Sequence, residues 1–193
     1  MNSIHPLHSA YIGLGSNLGN SRSLLRDAWQ SLGQHPEVNL QALSSPYRTR
    51  PVGMESSHWF INAAGCLHTT LSPEALLDLL LETEQKFGRV RRVHRVCQSE
   101  SEGYQDRTLD LDLLLFDDCI MQTDQLALPH PLMHERLFVL VPLAEIAAQS
   151  AHPLLKKTVA ELLAEQESRS GQDGKNGQEG IERTTWQEEQ EEN

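Results

Sequence analysis

The sequence predicts a mixed α/β (α+β) domain in which an antiparallel sheet of four or more strands carries helices on one face. Apolar and polar residues alternate in four segments, as in half-buried strands, and apolar residues recur at helical spacing in two segments between them. The order strand, helix, strand, strand, helix, strand is that of a split β-α-β pair, in which both helices pack on one face of the sheet. The opposite face and its loops would then be available to ligands.

The first strand, residues 9–14, runs into a glycine-rich turn at residues 13–19. This turn lacks the lysine of a Walker loop and the third glycine of a dinucleotide-binding fingerprint, so it does not by itself indicate a nucleotide site. The first helix is predicted to begin near Asn20 or Ser21, either of which can cap it, and to end near Gly33.

Two further strands are predicted at residues 38–47 and 59–68. The second helix is predicted to begin at Pro73, with Ser72 as its N-cap, and to end at Gly88. These elements complete the split β-α-β order up to its last strand.

The fourth strand, residues 107–116, places two carboxylates beside a run of leucines. In a strand, Asp110 and Asp112 share a face with Leu114 and Phe116, and the two carboxylates lie roughly 6 to 7 Å apart. Carboxylates so close repel each other and resist desolvation, and magnesium, which takes one or two carboxylates with water and phosphate, would compensate them. An edge strand with both aspartates in water is the alternative. The opposite face is predicted to carry Leu109, Leu111, Leu113 and Leu115.

Cationic residues are concentrated just before the paired aspartates, although the chain has a formal net charge of −11. Nucleic-acid binding would require a basic face, so a small polyanionic ligand fits better. Cations near a helix C-terminus are the ordinary alternative. Residues 89–106 are polar, and we expect them to form a lid that carries cations over a phosphate site. The six cations are Lys86, Arg89, Arg91, Arg92, Arg95 and Arg107.

Four single residues have two interpretations each. Phe60 and Asn62 share a strand face that could hold a flat heterocycle, or they form an ordinary aromatic contact and a satisfied amide. Glu84 borders an apolar helix face, so we expect an arginine partner; a place behind a metal site is the alternative. His130, fixed between two prolines, is either structural or reaches a phosphate oxygen.

The last part of the chain is predicted to contain short helices near Glu135 and at residues 142–148 and 154–163. Beyond Glu165 the composition offers almost nothing to bury. We therefore expect a domain at residues 1–165 and an acidic, disordered tail at residues 166–193.

The composition also limits the setting in which the protein works. No run of about 18 apolar residues is present, so no membrane span is expected. The N-terminus lacks the basic start and apolar core of a secretory signal. Three cysteines without a Cys-x-x-Cys spacing are typical of free thiols in a reducing compartment, so we expect a cytoplasmic protein. We further expect a monomer.

Six segments with recognisable motifs follow one another in a fixed order. They are Gly15-Ser-Asn-Leu-Gly19, Ser45-Pro-Tyr-Arg-Thr-Arg-Pro-Val-Gly53, Phe60-Ile-Asn-Ala-Ala64, Glu84 with Gly88-Arg-Val-Arg91, Arg107-Thr-Leu-Asp-Leu-Asp-Leu-Leu-Leu-Phe116, and Pro129-His130. Over about residues 9–150 the chain thereby resembles the 6-hydroxymethyl-7,8-dihydropterin pyrophosphokinase (2-amino-4-hydroxy-6-hydroxymethyldihydropteridine diphosphokinase) family. The resemblance implies a ferredoxin-like α/β fold. It also implies transfer of pyrophosphate from ATP to the pterin hydroxymethyl group, with release of AMP, in folate biosynthesis.

The resemblance implies a role for each matching residue. Asp110 and Asp112 would bind two magnesium ions that bridge the ATP phosphates. Arg107, Arg89 and Arg91 would be catalytic and would grip phosphates, the last two from the lid. The residues implied to contact ATP are Arg91, Arg107, Leu113, His130 and Arg136.

The resemblance also implies which residues bind the pterin. The rings of Phe60 and Phe138 would sandwich the pterin, and Glu84 would lie behind the metal site. The residues implied to contact the pterin are Thr49, Val52, Phe60, Asn62 and Phe138. The partners are thus ATP and 6-hydroxymethyl-7,8-dihydropterin, with no nucleic acid and no membrane.

The chain departs from the family pattern immediately before Arg107. Tyr104-Gln105-Asp106 stand where the family has an aromatic residue, a glycine and a proline or small residue, and Asp106 is expected to add negative charge beside the phosphates. The expected adenine contacts also differ from the family pattern. The residues concerned are Leu81, Gln125, Ala127 and Pro131.

Two other classes of function compete with the pyrophosphokinase. A pterin- or nucleotide-binding paralogue with little activity is favoured by the altered lid and disfavoured by the intact set Asp110, Asp112, Arg107 and Asn62. A ferredoxin-like RNA-binding module is disfavoured by the acidic balance and by the lack of the aromatic strand motif of such modules.

Overall fold

A computed structural model of the chain describes residues 6–50, 58–89, 106–172 and 180–187. A short 3₁₀ helix, Met133–Glu135, precedes the third α-helix. The strands described are β1 (His8–Ser16), β2 (Val38–Leu43), β3 (Tyr47–Thr49), β4 (Phe60–Thr69), β5 (Asp110–Phe116), β6 (Met121–Gln122), β7 (Ala127–Leu128), β8 (Ala151–His152), β9 (Lys157–Thr158) and β10 (Ile181–Arg183). The helices are α1 (Ser21–Leu32), α2 (Pro73–Lys86), α3 (Leu137–Ala147) and α4 (Val159–Gln172).

The main sheet is antiparallel and has six strands in the order β10-β3-β4-β1-β5, with β2 also paired to β4. The strand β1 lies between β4 and β5 and pairs with both, so both of its edges are paired. Since β2 and β3 occupy successive parts of one edge of β4, the sheet has the split β-α-β topology that the sequence predicts.

The strand predicted at residues 38–47 is divided into β2 and β3. Between them, the Ser44 N–H donates to the Ala64 carbonyl at 2.9 Å, and the Ala64 N–H donates to Ser44 Oγ at 3.0 Å. Pro46 follows and has no N–H to donate, so the regular ladder is interrupted there. The chain resumes pairing with β4 at Tyr47.

The helices α1 and α2 cover one face of the sheet, as predicted. Asn20 Oδ1 accepts from the Ser23 N–H at 3.2 Å, and Ser72 Oγ accepts from the Ala75 N–H at 3.2 Å, so both predicted N-caps are present. The face is sealed by apolar side chains from both helices and from the strands β1, β2, β4, β5 and β7. Those of the helices are Leu25, Ala28, Trp29, Leu32, Leu76 and Leu80.

The opposite face is not left bare, in contrast to the prediction. Met133, Leu140 and Leu143 form a second buried cluster with Leu114 and Leu115 of β5. This second layer covers the part of the face that lies away from the two aspartates. The free surface is therefore confined to one end of the sheet, where Asp110 and Asp112 lie.

A bulge in the β1–β5 pairing corrects the predicted faces of β5. Tyr11 pairs with Leu115, but its neighbour Ile12 pairs with Leu113, so Leu114 has no partner on β1. One extra residue reverses the alternation of faces beyond it. Leu115 therefore packs in the second cluster, and Phe116 joins the core beneath α1 and α2.

The late helices differ from the sequence prediction in their bounds. The helix α3 begins at Leu137, and Pro142 lies inside it rather than in its first turn. The helix α4 begins only at Val159, because residues 151–158 form the β8–β9 hairpin. Pro142 is buried within α3 and does not begin or end it.

The predicted disordered tail is corrected where the structure describes it. Residues 166–172 continue α4, and Ile181–Arg183 form β10 at the edge of the sheet. The amino-acid composition of this segment does not indicate β10, because β10 pairs with β3 through backbone hydrogen bonds, which leave no apolar pattern in the sequence. Residues 173–179 and 188–193 lie outside the described residues.

The longest helices, α2 and α4, have 14 residues each. In the part of the chain described here, no helix combines the length and apolar character needed to cross a membrane.

We predict that Gly65→Ala destabilises the fold by about 2 kcal/mol or more. A Cβ at Gly65 would lie 2.3 Å from Cζ3 of Trp29, a contact that requires the buried ring to move. Gly13→Ala is the matched control, since its Cβ would meet a methyl group of Leu114 at 3.4 Å. Urea unfolding of both variants measures the difference, and equal midpoints would contradict the packing of Trp29 on β4.

Candidate active site

The two aspartates lie beside a row of glycines on the sheet face opposite α1 and α2. In register, Asp110 pairs with Gly15 and Asp112 with Gly13. A Cβ on Gly15 would lie 3.2 Å from Asn62 Oδ1 and 3.8 Å from the Asp110 Cβ. Because β1 has no side chain at this point, one depression holds both the Asn62 amide and the Asp110 carboxylate.

Two arginines converge on Asp110. Arg89 and Arg107 each form an ion pair with one of its carboxylate oxygens. Arg89 also pairs with Glu84, which is 1% exposed and accepts the Leu111 N–H at 2.8 Å. The arginine partner expected for Glu84 is confirmed. Burial would lower the pKa of Arg89, but the charges of Asp110 and Glu84 raise it above its ordinary value.

Asp112 differs from its neighbour in its electrostatic environment. Burial, together with the negative charge of Asp110, raises the pKa of Asp112 to about 7, against the opposing effect of Arg136 and Arg107. The described residues donate no hydrogen bond to it. Among the described residues the ionised carboxylate of Asp112 therefore has no hydrogen-bond partner, and a bound cation would supply a counter-charge.

The donor set fits magnesium better than a metal that needs a full protein shell. The described residues contain no group of three or more His, Cys, Asp and Glu side chains placed around one point. A pair of carboxylates is the protein share of many magnesium sites, where water and phosphate complete the coordination. Zinc, by comparison, takes three or four protein ligands.

A cleft of about 460 Å³ opens next to Asp112. Leu113 and His130, both predicted ATP contacts, line it. The four residues that depart from the family pattern near adenine also line it. They are Leu81, Gln125, Ala127 and Pro131.

His130 is held in one orientation at the cleft. Its backbone N–H donates to the Leu114 carbonyl at 2.9 Å, and its ring Nδ1 accepts the Leu132 backbone N–H at 3.3 Å. Burial lowers the pKa of His130, and the nearby charge of Arg136 lowers it further, so the ring is neutral at pH 7. A neutral imidazole whose Nδ1 is an acceptor has its proton on Nε2, which can donate to a ligand.

Asn62 is fixed by Thr49 on the other side of the glycine row. Its Nδ2 donates to Thr49 Oγ1 at 2.7 Å, and both side chains are buried. Phe60 precedes Asn62 by two residues on the same face of β4, and Phe138 lies in the first turn of α3, which packs on that face. In the described chain neither ring stacks on another aromatic ring, although Arg136 lies 5.7 Å from the Phe138 centroid.

Asn17 is a site residue to which sequence reasoning gave no role. Its Nδ2 donates to Asp106 at 2.6 Å, and its Oδ1 accepts the Arg107 N–H at 2.8 Å. Asp106 also lies 3.5 Å from His58. Asn17 therefore clamps the chain just before β5. The only sign in the sequence is its position in the Gly15–Gly19 segment, directly after β1.

Two predicted site residues lie outside the described residues. Val52 falls in residues 51–57, and Arg91 falls in residues 90–105, which include most of the predicted lid. Of the described ends of that segment, Arg89 pairs with Asp110 and Asp106 accepts from Asn17.

A sequence profile of one protein family, 7,8-dihydro-6-hydroxymethylpterin-pyrophosphokinase (HPPK), matches residues 11–148. A 2-amino-4-hydroxy-6-hydroxymethyldihydropteridine pyrophosphokinase of Bacillus subtilis is 46% identical over 140 residues, which are 72% of this chain and 78% of that protein. The protein of the same name from Methylorubrum extorquens is 40% identical over 138 residues, covering 72% of this chain and 82% of the relative.

Solved structures agree in fold. The Plasmodium falciparum HPPK-DHPS wild type with pteroate superposes with a TM-score of 0.72 at 13% identity, over 94% of this chain. The match covers 48% of that protein, so this chain spans about half of its length. Together with the 46% identity to the Bacillus subtilis enzyme, these matches show that the chain belongs to the 7,8-dihydro-6-hydroxymethylpterin-pyrophosphokinase family.

Proposed function

We propose that this protein transfers pyrophosphate from ATP to 6-hydroxymethyl-7,8-dihydropterin and so forms the pterin diphosphate and AMP in folate biosynthesis. One observation carries the proposal: Asp110 lies between the buried amide of Asn62 and two arginines, and its neighbour Asp112 borders a cleft. The names of the relatives agree with this reaction. A low-activity binding paralogue is not favoured, since the paired acids and their arginines are all present.

The nucleoside of ATP would fit the cleft next to Asp112, because leucines such as Leu81 and Leu113 offer apolar surface there and His130 offers a polar group. A nucleoside there directs its phosphates towards Asp112 and Asp110. His130 Nε2 and Arg136 are then the donors nearest to the phosphates on the cleft side.

Asp110 and Asp112 would hold the magnesium, and we propose two ions. Bound there, the metal neutralises phosphate charge as it develops during transfer. Because burial raises the pKa of Asp112 to about 7, a bound cation would favour its ionised form at pH 7.

Arg89 and Arg107 would release Asp110 and bind phosphate oxygens instead. The Arg89 guanidinium is also held by Glu84, and the backbone of Arg107 is held by Asn17. A planar guanidinium binds two phosphate oxygens at once, which lysine does not do.

The pterin would lie over the Asn62 side of the glycine row, where the Asn62 amide can bond its edge and the rings of Phe60 and Phe138 can contact its faces. Its hydroxyl then lies beside the phosphates. The hydroxyl oxygen attacks the β-phosphorus, loses its proton, and forms a new P–O bond. The bond between the β-phosphorus and the α–β bridging oxygen breaks, and AMP leaves.

We also propose that the protein works as a monomer in the cytoplasm, on these two small substrates and without nucleic acid. Cys66 and Cys119 are free thiols, which supports a reducing compartment.

A coupled assay for AMP, with ATP, magnesium and 6-hydroxymethyl-7,8-dihydropterin, tests the function. We expect AMP release that requires both the pterin and the metal. Asp110→Asn and Asp112→Asn should each reduce kcat by about 100-fold or more, the range found when one group that stabilises transition-state charge is removed.

Asp118→Asn is the matched control, because Asp118 is exposed at the turn after β5. It should retain full activity. Full activity in the Asp110 and Asp112 variants would refute their assignment to the metal, and pterin binding without turnover would favour the paralogue.

We predict that magnesium stabilises the protein more at high pH than at low pH. The raised pKa of Asp112 means that the folded state loses stability as the pH rises from 3.8, its ordinary pKa, to about 7. Magnesium binds the ionised form, so its stabilising effect should be present at about pH 8 and largely lost at about pH 5.5. Melting temperatures with and without magnesium measure this, and the pH dependence should disappear in Asp112→Asn.

We predict that Thr49→Val raises the KM for the pterin by about threefold to tenfold, because the buried Asn62 amide loses its acceptor. Thr49→Ser keeps the hydroxyl oxygen and should remain close to wild type. Steady-state kinetics with each substrate varied in turn should show an unchanged KM for ATP. An equal effect of both substitutions would argue against an orienting hydrogen bond.

A further inference from the structure

Residues 180–187, called the strap below, lie beyond residues 11–148, where the family profile matches. Ile181–Arg183 of the strap form β10 and pair antiparallel with Tyr47–Thr49 of β3. The strap thus adds a strand to the edge of the sheet that lies on the pterin side of the proposed site. Without it, β3 would be a three-residue strand paired only with β4.

Specific hydrogen bonds continue the pairing beyond β10. The Thr184 N–H donates to the Pro46 carbonyl at 2.8 Å, and Trp186 Nε1 donates to the Ser44 carbonyl at 3.0 Å. Trp186 also packs against the core beneath α1 and α2. These contacts satisfy carbonyls in the break between β2 and β3, where regular pairing is absent.

A polar network joins the strap to α3. Arg183 Nη2 pairs with Glu145 Oε1 at 3.0 Å, and Arg183 Nε donates to Ser45 Oγ at 2.9 Å. Glu145 also accepts the Tyr47 hydroxyl at 2.8 Å. Burial and this hydrogen bond raise the pKa of Tyr47 to about 12, so its hydroxyl stays protonated and donating.

The strap is linked to the proposed pterin site through β3. Thr49, opposite Ile181 in the pairing, is the hydrogen-bond acceptor that orients the Asn62 amide. At the start of the strap, a Cβ on Gly180 would lie 2.9 Å from Cγ of Arg50. The strap therefore contacts both residues that end the β3 segment, Thr49 and Arg50.

We propose that the strap is a positioning element that holds β3 in place in the same chain and thereby sets the affinity for the pterin. The proposal rests on the proposed function. Short edge strands are weakly held, and the order of Thr49 depends on the order of β3. The strap does not contact the cleft assigned to ATP, so its effect should be confined to one substrate.

A full kinetic comparison tests the proposal with a truncated chain that ends at residue 172 and with the full-length variant Trp186→Ala. We expect the KM for the pterin to rise by about fivefold, within the range for one or two lost hydrogen bonds, while the KM for ATP changes by less than about twofold. Glu182→Gln, an exposed strap side chain with no described partner, is the control and should match wild type.

Rescue and exchange measurements separate positioning from general stability. A peptide of residues 180–193 added to the truncated chain should lower the KM for the pterin again, whereas a scrambled peptide should not. Amide exchange of residues 47–49 should be at least about tenfold faster without the strap, with β1 unchanged.

Three results would overturn the proposal. They are an unchanged KM for the pterin, an equal rise in both KM values, and a full-length dimer that exchanges its straps. If the full-length protein releases no AMP, the proposed function fails. The proposal for the strap is then tested by measuring the binding of 6-hydroxymethyl-7,8-dihydropterin by calorimetry and by measuring amide exchange. Neither measurement needs turnover.

Discussion

The arrangement of the candidate site follows from the cost of placing two carboxylates on one face of a largely buried strand. At Asp110 two arginines offset this cost by forming ion pairs with the carboxylate. One of them, Arg89, also pairs with the buried Glu84. Asp112 has no such partner among the described residues, and burial raises its pKa to about 7. The two aspartates are therefore not equivalent. In the structure Asp110 is paired with two arginines, whereas Asp112 has no ion pair among the described residues.

The glycines of β1 allow the two substrate regions to be neighbours. Gly15 lies in register with both Asn62 and Asp110, so one residue without a side chain separates the buried amide from the first carboxylate. Adjacent strands lie about 4.8 Å apart, so the amide and the carboxylate are brought within roughly 10 Å across two strands. This spacing suits a hydroxyl that must reach a phosphate. The other face of the same strands packs against α1 and α2 through apolar side chains such as Ile12 and Leu111, which fixes their positions.

The sequence was sufficient to predict the features of the fold that depend on local side-chain patterns. Periodicity and caps located α1 and α2, and alternation placed Asp110 and Asp112 on one face of β5. It failed at features that depend on pairing between distant segments. Because of the bulge beside Leu114, Leu115 and Phe116 each lie on the face opposite to the one predicted. The bulge belongs to the pairing of β5 with β1, which the β5 sequence alone does not show. The strand β10 was missed for the same kind of reason, since its backbone bonds to β3 leave no apolar pattern.

Asp106 shows how tertiary contacts change the meaning of a departure from a family pattern. From the sequence, its charge beside Arg107 is expected to repel phosphates. In the structure its carboxylate accepts from Asn17 at 2.6 Å and lies 3.5 Å from His58. Asn17 binds the Arg107 N–H through its other amide atom, so Asp106 helps to fix the amide that positions Arg107. The substitution that the sequence marks as a source of repulsion is therefore part of the clamp at the start of the aspartate strand.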